Sequence, residues 1–217
     1  MINMDFTKRV VVDTNTISWQ ETGVDGVKIK PLTIQDDELG HLTAMLRYSD
    51  QAVYTRKEHS KGEELLVLAG TFSAGSGDYP TGTYYRNPRS TMQMPFSQRG
   101  CIVFAKLNQI RSNDEKRVVK DVYTGKWIDS ENGVKMQLLS HHENEQTLMV
   151  KWPKGYFHVG ESNIQGAEVF VISGELIDDL GRYSAGTWLR ASGVPFFNAR
   201  TDKETVAFLK YGHLPIN

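Results

Sequence analysis

One cysteine, Cys101, is all that the 217 residues contain. That excludes an internal disulfide and any cysteine-rich zinc site. No apolar run approaches the ~18–20 residues of a membrane span. Met1-Ile2-Asn3-Met4-Asp5 has no basic region followed by an apolar stretch, as a signal peptide would. An excess of either charge is missing too. Lys+Arg number 25 and Asp+Glu 26, for a formal net charge of -1, so no global positive field attracts nucleic acid. No glycine-rich phosphate loop, Ser/His/Asp set or nucleotide fingerprint occurs. Hydrophobic residues make up 39% and charged residues 24%, enough apolar material for a packed core. The expectation is a soluble, cytoplasmic, globular protein with no nucleic-acid or membrane partner.

What the chain does have is a repeat. Residues 64-ELLVLAGTFSAGSGDYPTGTYYR-86 lie above 168-EVFVISGELIDDLGRYSAGTWLR-190 without a gap, at a constant offset of 104 (64 to 168). Gly70, Gly77, Tyr79, Gly82, Thr83 and Arg86 fall on Gly174, Gly181, Tyr183, Gly186, Thr187 and Arg190. The same offset pairs Thr43 with Thr147 and Lys106 with Lys210. Upstream the offset is 108: 8-KRVVVD-13 meets 116-KRVVKD-121, and Trp19 meets Trp127. A period this long marks a tandem duplication, because solenoid units run ~20–50 residues and need at least three copies. The domains expected are 1–110 and 111–217, with the matched stretches at 8–106 and 116–210. Because both copies begin with a Lys-Arg-Val-Val strand, an exchange of these strands between the two barrels is expected.

Each copy reads as strand and turn. Leu65-Leu66-Val67-Leu68, Val169-Phe170-Val171-Ile172, Cys101–Ala105 and Val206–Leu209 are short apolar runs bounded by turn residues. Gly75–Pro80 and Asp179-Leu180-Gly181 carry turn chemistry, and Asn132-Gly133 and Glu21-Thr22-Gly23 mark hairpin corners. The best helical pattern, Asp36 to Leu46, fits a strand equally well over its second half. Evenly spaced short strands predict an all-β protein built of two barrels.

The residues now carry a resemblance. The stretch 59-HSKGEELLVLAG-70 resembles the first cupin motif: His59 and Glu63 are separated by three residues, Glu63 and Gly70 by six. The stretch 79-YPTGTYYRNPRSTMQMP-95 resembles the second. The phrasing is most similar to the cupin domain of the ChrR anti-sigma-factor family, and it covers both halves. The resemblance implies tandem double-stranded β-helix (cupin, jelly-roll) barrels, a bicupin. It also implies a ligand pocket lined by Lys57, His59, Glu63 and Gln93, and a divalent metal (zinc, or iron, manganese or nickel) on His59, Glu63 and Gln93.

Two positions depart from the motif. Lys57 stands where the first motif histidine belongs, and Gln93 where the second-motif histidine belongs. An ammonium repels a cation, so a metal-free pocket in which Lys57 neutralises Glu63 stands beside the metal-bound one. In the second copy the matching residues are Glu161, Asn163, Ala167 and Phe197, so any pocket is expected in the first barrel. The second reads as a scaffold that closes the edge of the first or builds a homodimer, with Phe196 and Phe197 as core filling.

The remaining candidates read as structural. His141 and His142 are adjacent and point to opposite faces; these two and His158 are read as solvent-facing or structurally bonded, and His213 as tail packing. Arg86 and Arg190 recur in both copies, which favours a structural role such as bonding strand carbonyls. Alternation turns Glu64 and Glu168 away from the Glu63 side. Cys101 is expected to be buried and inert, and Trp19 and Trp127 to cover the barrel ends. The resemblance implies a regulatory bicupin that senses a small molecule or stress. In the family, sigma-factor binding belongs to a separate helical domain with a His/Cys zinc site. Both repeats fill this chain and one cysteine cannot build such a site, so direct sigma-factor binding is not expected. The alternative is a metal-dependent dioxygenase acting on a small diketone or hydroxyketone. Related enzymes hold iron with three histidines, of which this sequence keeps at most His59 at its motif position.

Overall fold

Glycine-punctuated runs of β-branched and aromatic residues favour short strands over helices, and the computed structural model is built almost wholly of strands. It describes residues 1–35, 40–54, 61–75, 77–88, 95–159, 166–193 and 198–214. The first half supplies β1 (Val10–Asp13), β2 (Gln20–Glu21), β3 (Val27–Ile34), β4 (Leu42–Tyr48) and β5 (Ala52–Val53). It continues with β6 (Glu63–Ala74), β7 (Gly77–Pro80), β8 (Thr83–Asn87), β9 (Phe96–Ser97) and β10 (Cys101–Leu107). The second half supplies β11 (Val118–Asp121), β12 (Ile128–Asp129), β13 (Lys135–His142), β14 (Glu145–Trp152) and β15 (Ala167–Ser173). Its last strands are β16 (Glu175–Asp178), β17 (Gly181–Ser184), β18 (Thr187–Ala191) and β19 (Thr205–Tyr211). The stretch that wavered between helix and strand is strand from Leu42 onward; its residues 36–39 lie outside the described set.

The chain forms two compact units. One comprises Met1–Met4 and Ser18–Thr124, the other Asp5–Ile17 and Gly125–Asn217. The main sheet of the first runs β11-β8-β6-β10-β4-β3-β2, and that of the second β1-β18-β15-β19-β14-β13-β12. These are one topology written twice. The leading strands are exchanged as expected: β1 pairs antiparallel with β18, Val10 opposite Arg190, and β11 pairs with β8, Val118 opposite Arg86. Each unit therefore takes an edge strand from the other half of the sequence.

The recurring arginines anchor these arms. Arg86 donates from Nη2 to Asp114 Oδ2 at 2.6 Å and from Nη1 to the Lys116 carbonyl at 3.3 Å. Arg190 donates to the Asp5 carbonyl at 2.9 Å. Both grip the segment just ahead of the exchanged strand.

Alternation sets two faces on each sheet. In the first unit Leu65, Val67, Tyr85, Val103, Ala105 and Leu107 face the core. In the second, Val169, Val171, Leu189, Ala207 and Leu209 do. The opposite face is also buried and carries charge. Tyr84 donates to Glu64 at 2.6 Å and Lys106 to Thr43 at 3.2 Å. In the second unit Trp188 Nε1 donates to Glu168 at 3.4 Å, and Lys210 lies 2.7 Å from Glu145. Glu64 and Glu168 thus point away from the barrel interior, as alternation requires. His213, read from sequence as tail packing, lies 3.3 Å from Glu168.

Trp19 and Trp127 do precede corresponding strands, but they do not cap the barrel ends. Trp19 lies beneath Lys30 and Arg47, 4.9 and 4.8 Å from its ring centre, on the side of β3 and β4 away from the core. Trp127 meets Lys151 at 5.3 Å, and Lys151 is the repeat equivalent of Arg47. Cation–π attraction and the alkyl stems of these long side chains hold the indoles there.

Cys101 is buried, and burial pushes its thiol up to about 11 while Ser97 and the Tyr48 backbone pull it back. At neutral pH almost no thiolate exists to react. Iodoacetamide at pH 8 is expected to leave the folded protein unlabelled and to label it fully in denaturant. Labelling of the folded protein at the rate of a free thiol would contradict this.

Candidate functional site

Among the described residues, the interior of the first barrel is mainly apolar and carries a charged group at one end of β6. Glu63 begins this strand on the same face as Leu65 and Val67 and is 5% exposed. Gly62, just before it, takes a φ of +79°. Directly across the ladder stand Asn87 on β8 and Leu107 on β10. Side chains directly opposite one another share a face, so Asn87 joins Glu63 inside. Tyr85, two residues before Asn87, is fully buried and belongs to the same core.

Burial raises the Glu63 carboxyl above its ordinary value, while Asn87, Tyr85 and the positive charge of Arg117 act to lower it. Asn87 is 7% exposed, and its Nδ2 closes no properly directed hydrogen bond. Its lowering effect on Glu63 is that of a weak, poorly aligned hydrogen bond. Burial and the neighbouring carboxylate also raise the Tyr85 phenol.

Arg117 reaches this barrel on the exchanged arm. Its Nη2 donates to the Tyr79 hydroxyl at 2.9 Å, and its Cζ lies 5.7 Å from the centre of the Tyr85 ring. The rings of Tyr79 and Tyr85 are 4.7 Å apart. A chain of groups therefore runs from Glu63 and Asn87 through Tyr85 to Tyr79 and Arg117.

Among the described residues, the second barrel has no such cluster. At the repeat positions of Glu63, Tyr85 and Asn87 it has Ala167, Leu189 and Ala191, all buried, and Ala167 pairs with Ala191 as Glu63 does with Asn87. It keeps only the arm. Arg9 donates to the Tyr183 hydroxyl at 2.6 Å, and that hydroxyl donates to Asp178 at 2.7 Å. Arg9 also lies 3.5 Å from Asp178. Burial, with the hydrogen bond to Asp178, pushes the Tyr183 phenol up to about 12 against the pull of Arg9.

Of the pocket residues expected from sequence, the structure places Glu63 inside the first barrel. Lys57, His59 and Gln93 lie outside the described residues, as do Glu161, Asn163, Phe196 and Phe197 of the second copy. The cluster also contains residues that the sequence reading passed over: Tyr79, Tyr85, Asn87 and Arg117. The signal for two of them was the repeat itself, read at columns where the copies differ: Tyr85 against Leu189, Asn87 against Ala191. His141 and His142 lie in β13 near its turn and do not join the site.

A divalent ion fits this described set poorly. It contributes one carboxylate, biased by burial towards its neutral form, together with a phenol, an amide and a guanidinium. Among the described residues no group of three or more His, Cys, Asp or Glu side chains is placed to hold a metal.

The Glu63 carboxyl gives a pH signature in chelator-treated protein. Its folded-state pKa lies above the ordinary 4.5. As pH rises past 4.5, the unfolded chain releases a proton that the folded chain keeps. Stability therefore falls with rising pH, until the folded-state carboxyl ionises as well. Glu63→Gln removes the penalty. It is expected to melt higher than wild type at neutral pH, with the advantage vanishing below the unfolded value. Melting curves at both pH values decide it; a constant difference would count against a raised Glu63.

The family model for the ChrR Cupin-like domain matches the chain twice, at residues 7–111 and 115–215. No curated protein matches it. Among solved structures, a "putative dioxygenase" from Nostoc punctiforme superposes with a TM-score of 0.78 at 12% identity, covering 97% of this chain and 85% of that one. The pirin YhhW from Escherichia coli, solved with nickel(II), gives 0.68 at 12% identity, covering 97% and 100%. A variant of Bacillus subtilis oxalate decarboxylase OxdC gives 0.63 at 10%, covering 95% and 78%. At such identities these likenesses establish the fold: tandem cupin jelly-roll barrels.

Proposed function

The chain belongs to the ChrR cupin-like family, present as two cupin domains, and on that premise we propose that it is a cytoplasmic, non-catalytic regulatory bicupin. Its first barrel binds a small molecule, and the second barrel is a scaffold. The observation that supports this is the asymmetry of two otherwise matching interiors. Glu63, Tyr85 and Asn87 form a buried polar cluster in one, where the other has Ala167, Leu189 and Ala191. Buried polar groups cost free energy unless bonded or used, and the second barrel shows that the fold does without them.

Metal chemistry enters through His59 and Gln93, which with Glu63 would supply the donors for zinc, iron, manganese or nickel. Such an ion would act as a Lewis acid or bind oxygen. The guanidinium of Arg117 favours an anionic organic ligand instead. Metal analysis of the purified protein, with a thermal-shift screen of small metabolites on wild type and Glu63→Ala, tests the reading. It is supported by a Glu63-dependent ligand in a metal-free or zinc-bearing protein. A stoichiometric redox metal with turnover of a diketone or hydroxyketone would replace it with the dioxygenase alternative. A ligand that binds the second barrel would overturn it.

A further inference from the structure

The two barrels receive the same arginine on the same exchanged arm, but among the described residues only the second holds a carboxylate at ion-pair distance from it. In the second barrel Arg9, Tyr183 and Asp178 form a closed set: arginine to phenol at 2.6 Å, phenol to carboxylate at 2.7 Å, arginine to carboxylate at 3.5 Å. Asp178 ends β16 opposite Gly181. At the same offset in the first barrel stands Ala74, which ends β6 opposite Gly77. The arginine and the phenol are kept as Arg117 and Tyr79, 2.9 Å apart. The anion is replaced by a methyl group. Among the described residues Arg117 has the Tyr79 hydroxyl and the Tyr85 ring as partners and feels the Glu63 carboxyl at longer range, with no carboxylate at ion-pair distance. The second barrel thus displays what this arm geometry accepts: a carboxylate held jointly by guanidinium and phenol.

A second observation points the same way from the other end of the cluster. Asn87 Nδ2 is a buried donor that faces the Glu63 carboxyl but is not well aligned on it. A buried amide donor without a good acceptor is unfavourable, and an acceptor oxygen on a ligand would satisfy it. In the second barrel Ala191 takes that place. Between the two ends lie the rings of Tyr79 and Tyr85, 4.7 Å apart, an apolar wall for a short carbon chain.

Resting on the first-barrel reading above, we propose that the ligand is a small oxo or hydroxy carboxylic acid. Its carboxylate lies between Arg117 and Tyr79, as Asp178 lies between Arg9 and Tyr183. Its carbonyl or hydroxyl oxygen accepts from Asn87 Nδ2 beside Glu63. The site is composite: the second half of the sequence contributes Arg117 to a pocket built by the first.

Calorimetry and thermal shift on the full-length protein test this, with pyruvate, acetoacetate and levulinate as probes and their methyl esters as uncharged controls. At least one acid is expected to bind and raise the melting temperature, and its ester to bind at least tenfold more weakly. Arg117→Met should lose the acid at least tenfold; Arg117 is exposed, so this variant keeps its fold. Ala74→Asp places the second barrel's carboxylate beside Arg117 and should abolish acid binding. Asp178→Ala should free Arg9 and Tyr183 to take a second, weaker acid, so that calorimetry reads a higher stoichiometry than in wild type, a readout that does not depend on Ala74→Asp folding.

No binding of any of the three acids overturns the inference, as does acid binding that survives Arg117→Met. If such binding still requires Glu63, the first-barrel reading stands without it. Acid binding indifferent to both Arg117 and Glu63 overturns both.

Discussion

Asp114→Ala is expected to destabilise the protein by about 3–5 kcal/mol, the cost of removing one partner from a buried ion pair. Asp114 and Arg86 are both buried, with 2.6 Å between Oδ2 and Nη2. Burial alone would push the Arg86 guanidinium down, but the carboxylates of Glu64 and Asp114 outweigh it and raise it, so the charge stays. Asp114 also accepts the Lys116 backbone N–H at 3.0 Å, and so turns the chain into the exchanged arm. The loss should therefore reach the pocket. Arg117 follows directly in sequence, and probe binding is expected to weaken along with stability. Asp5→Ala is the matched control in the second barrel. There Arg190 takes the Asp5 main-chain carbonyl, while the exposed Asp5 carboxylate serves Thr7 and Lys8. Its melting curve should be hard to distinguish from wild type. Chemical denaturation of both variants checks the pair; equal effects would mean that the arm is not held by the Arg86–Asp114 contact.

Gly70→Ala is expected to cost roughly 2–5 kcal/mol, from a left-handed backbone (~1–2 kcal/mol) and local overpacking (~1–3 kcal/mol). Gly70 takes a φ of +73°, and a Cβ there would overlap the Gly100 carbonyl oxygen and lie 2.9 Å from Cys101 Cα. Both obstacles are backbone and cannot rotate away. The position matters because β6 serves two sets of partners: Glu63 to Leu66 pair with β8, whereas Thr71 to Ala74 pair with β7. The chain changes course at Gly70, which lets one strand carry Glu63 at one end and Ala74 at the other. Gly155→Ala separates the two terms. Its φ is +77° with no atom within 4 Å of the added methyl, so it should cost only about 1–2 kcal/mol. Similar losses in the two variants would show that crowding at Gly70 is relieved cheaply.

The sequence by itself determined the architecture of this protein. An offset of 104 that holds from Glu64 to Arg86 without a gap can only be a duplication. Alternation around glycine turns made each copy a barrel and separated Glu63 from Glu64 by face. Even the exchange of leading strands was legible, since Lys8-Arg9-Val10-Val11 and Lys116-Arg117-Val118-Val119 open both copies. These are local or repeated properties, and local properties survive in a one-dimensional string.

What only the tertiary structure decided is which side chains meet. Nothing in the string brings Arg117 to Tyr79, Arg9 to Asp178 or Asp114 to Arg86, because each pair depends on the register of an arm joined to a distant edge. Period-two alternation assigns a face, but it leaves the neighbour on that face open until strand pairing fixes it. Glu63 could be found from motif spacing. Tyr85 and Asn87 became its companions only when β8 was set against β6 with Asn87 opposite Glu63. The difference between the barrels, a methyl at Ala74 where the other has the carboxylate of Asp178, was present in the sequence throughout. It acquired meaning once the fold placed an arginine beside each.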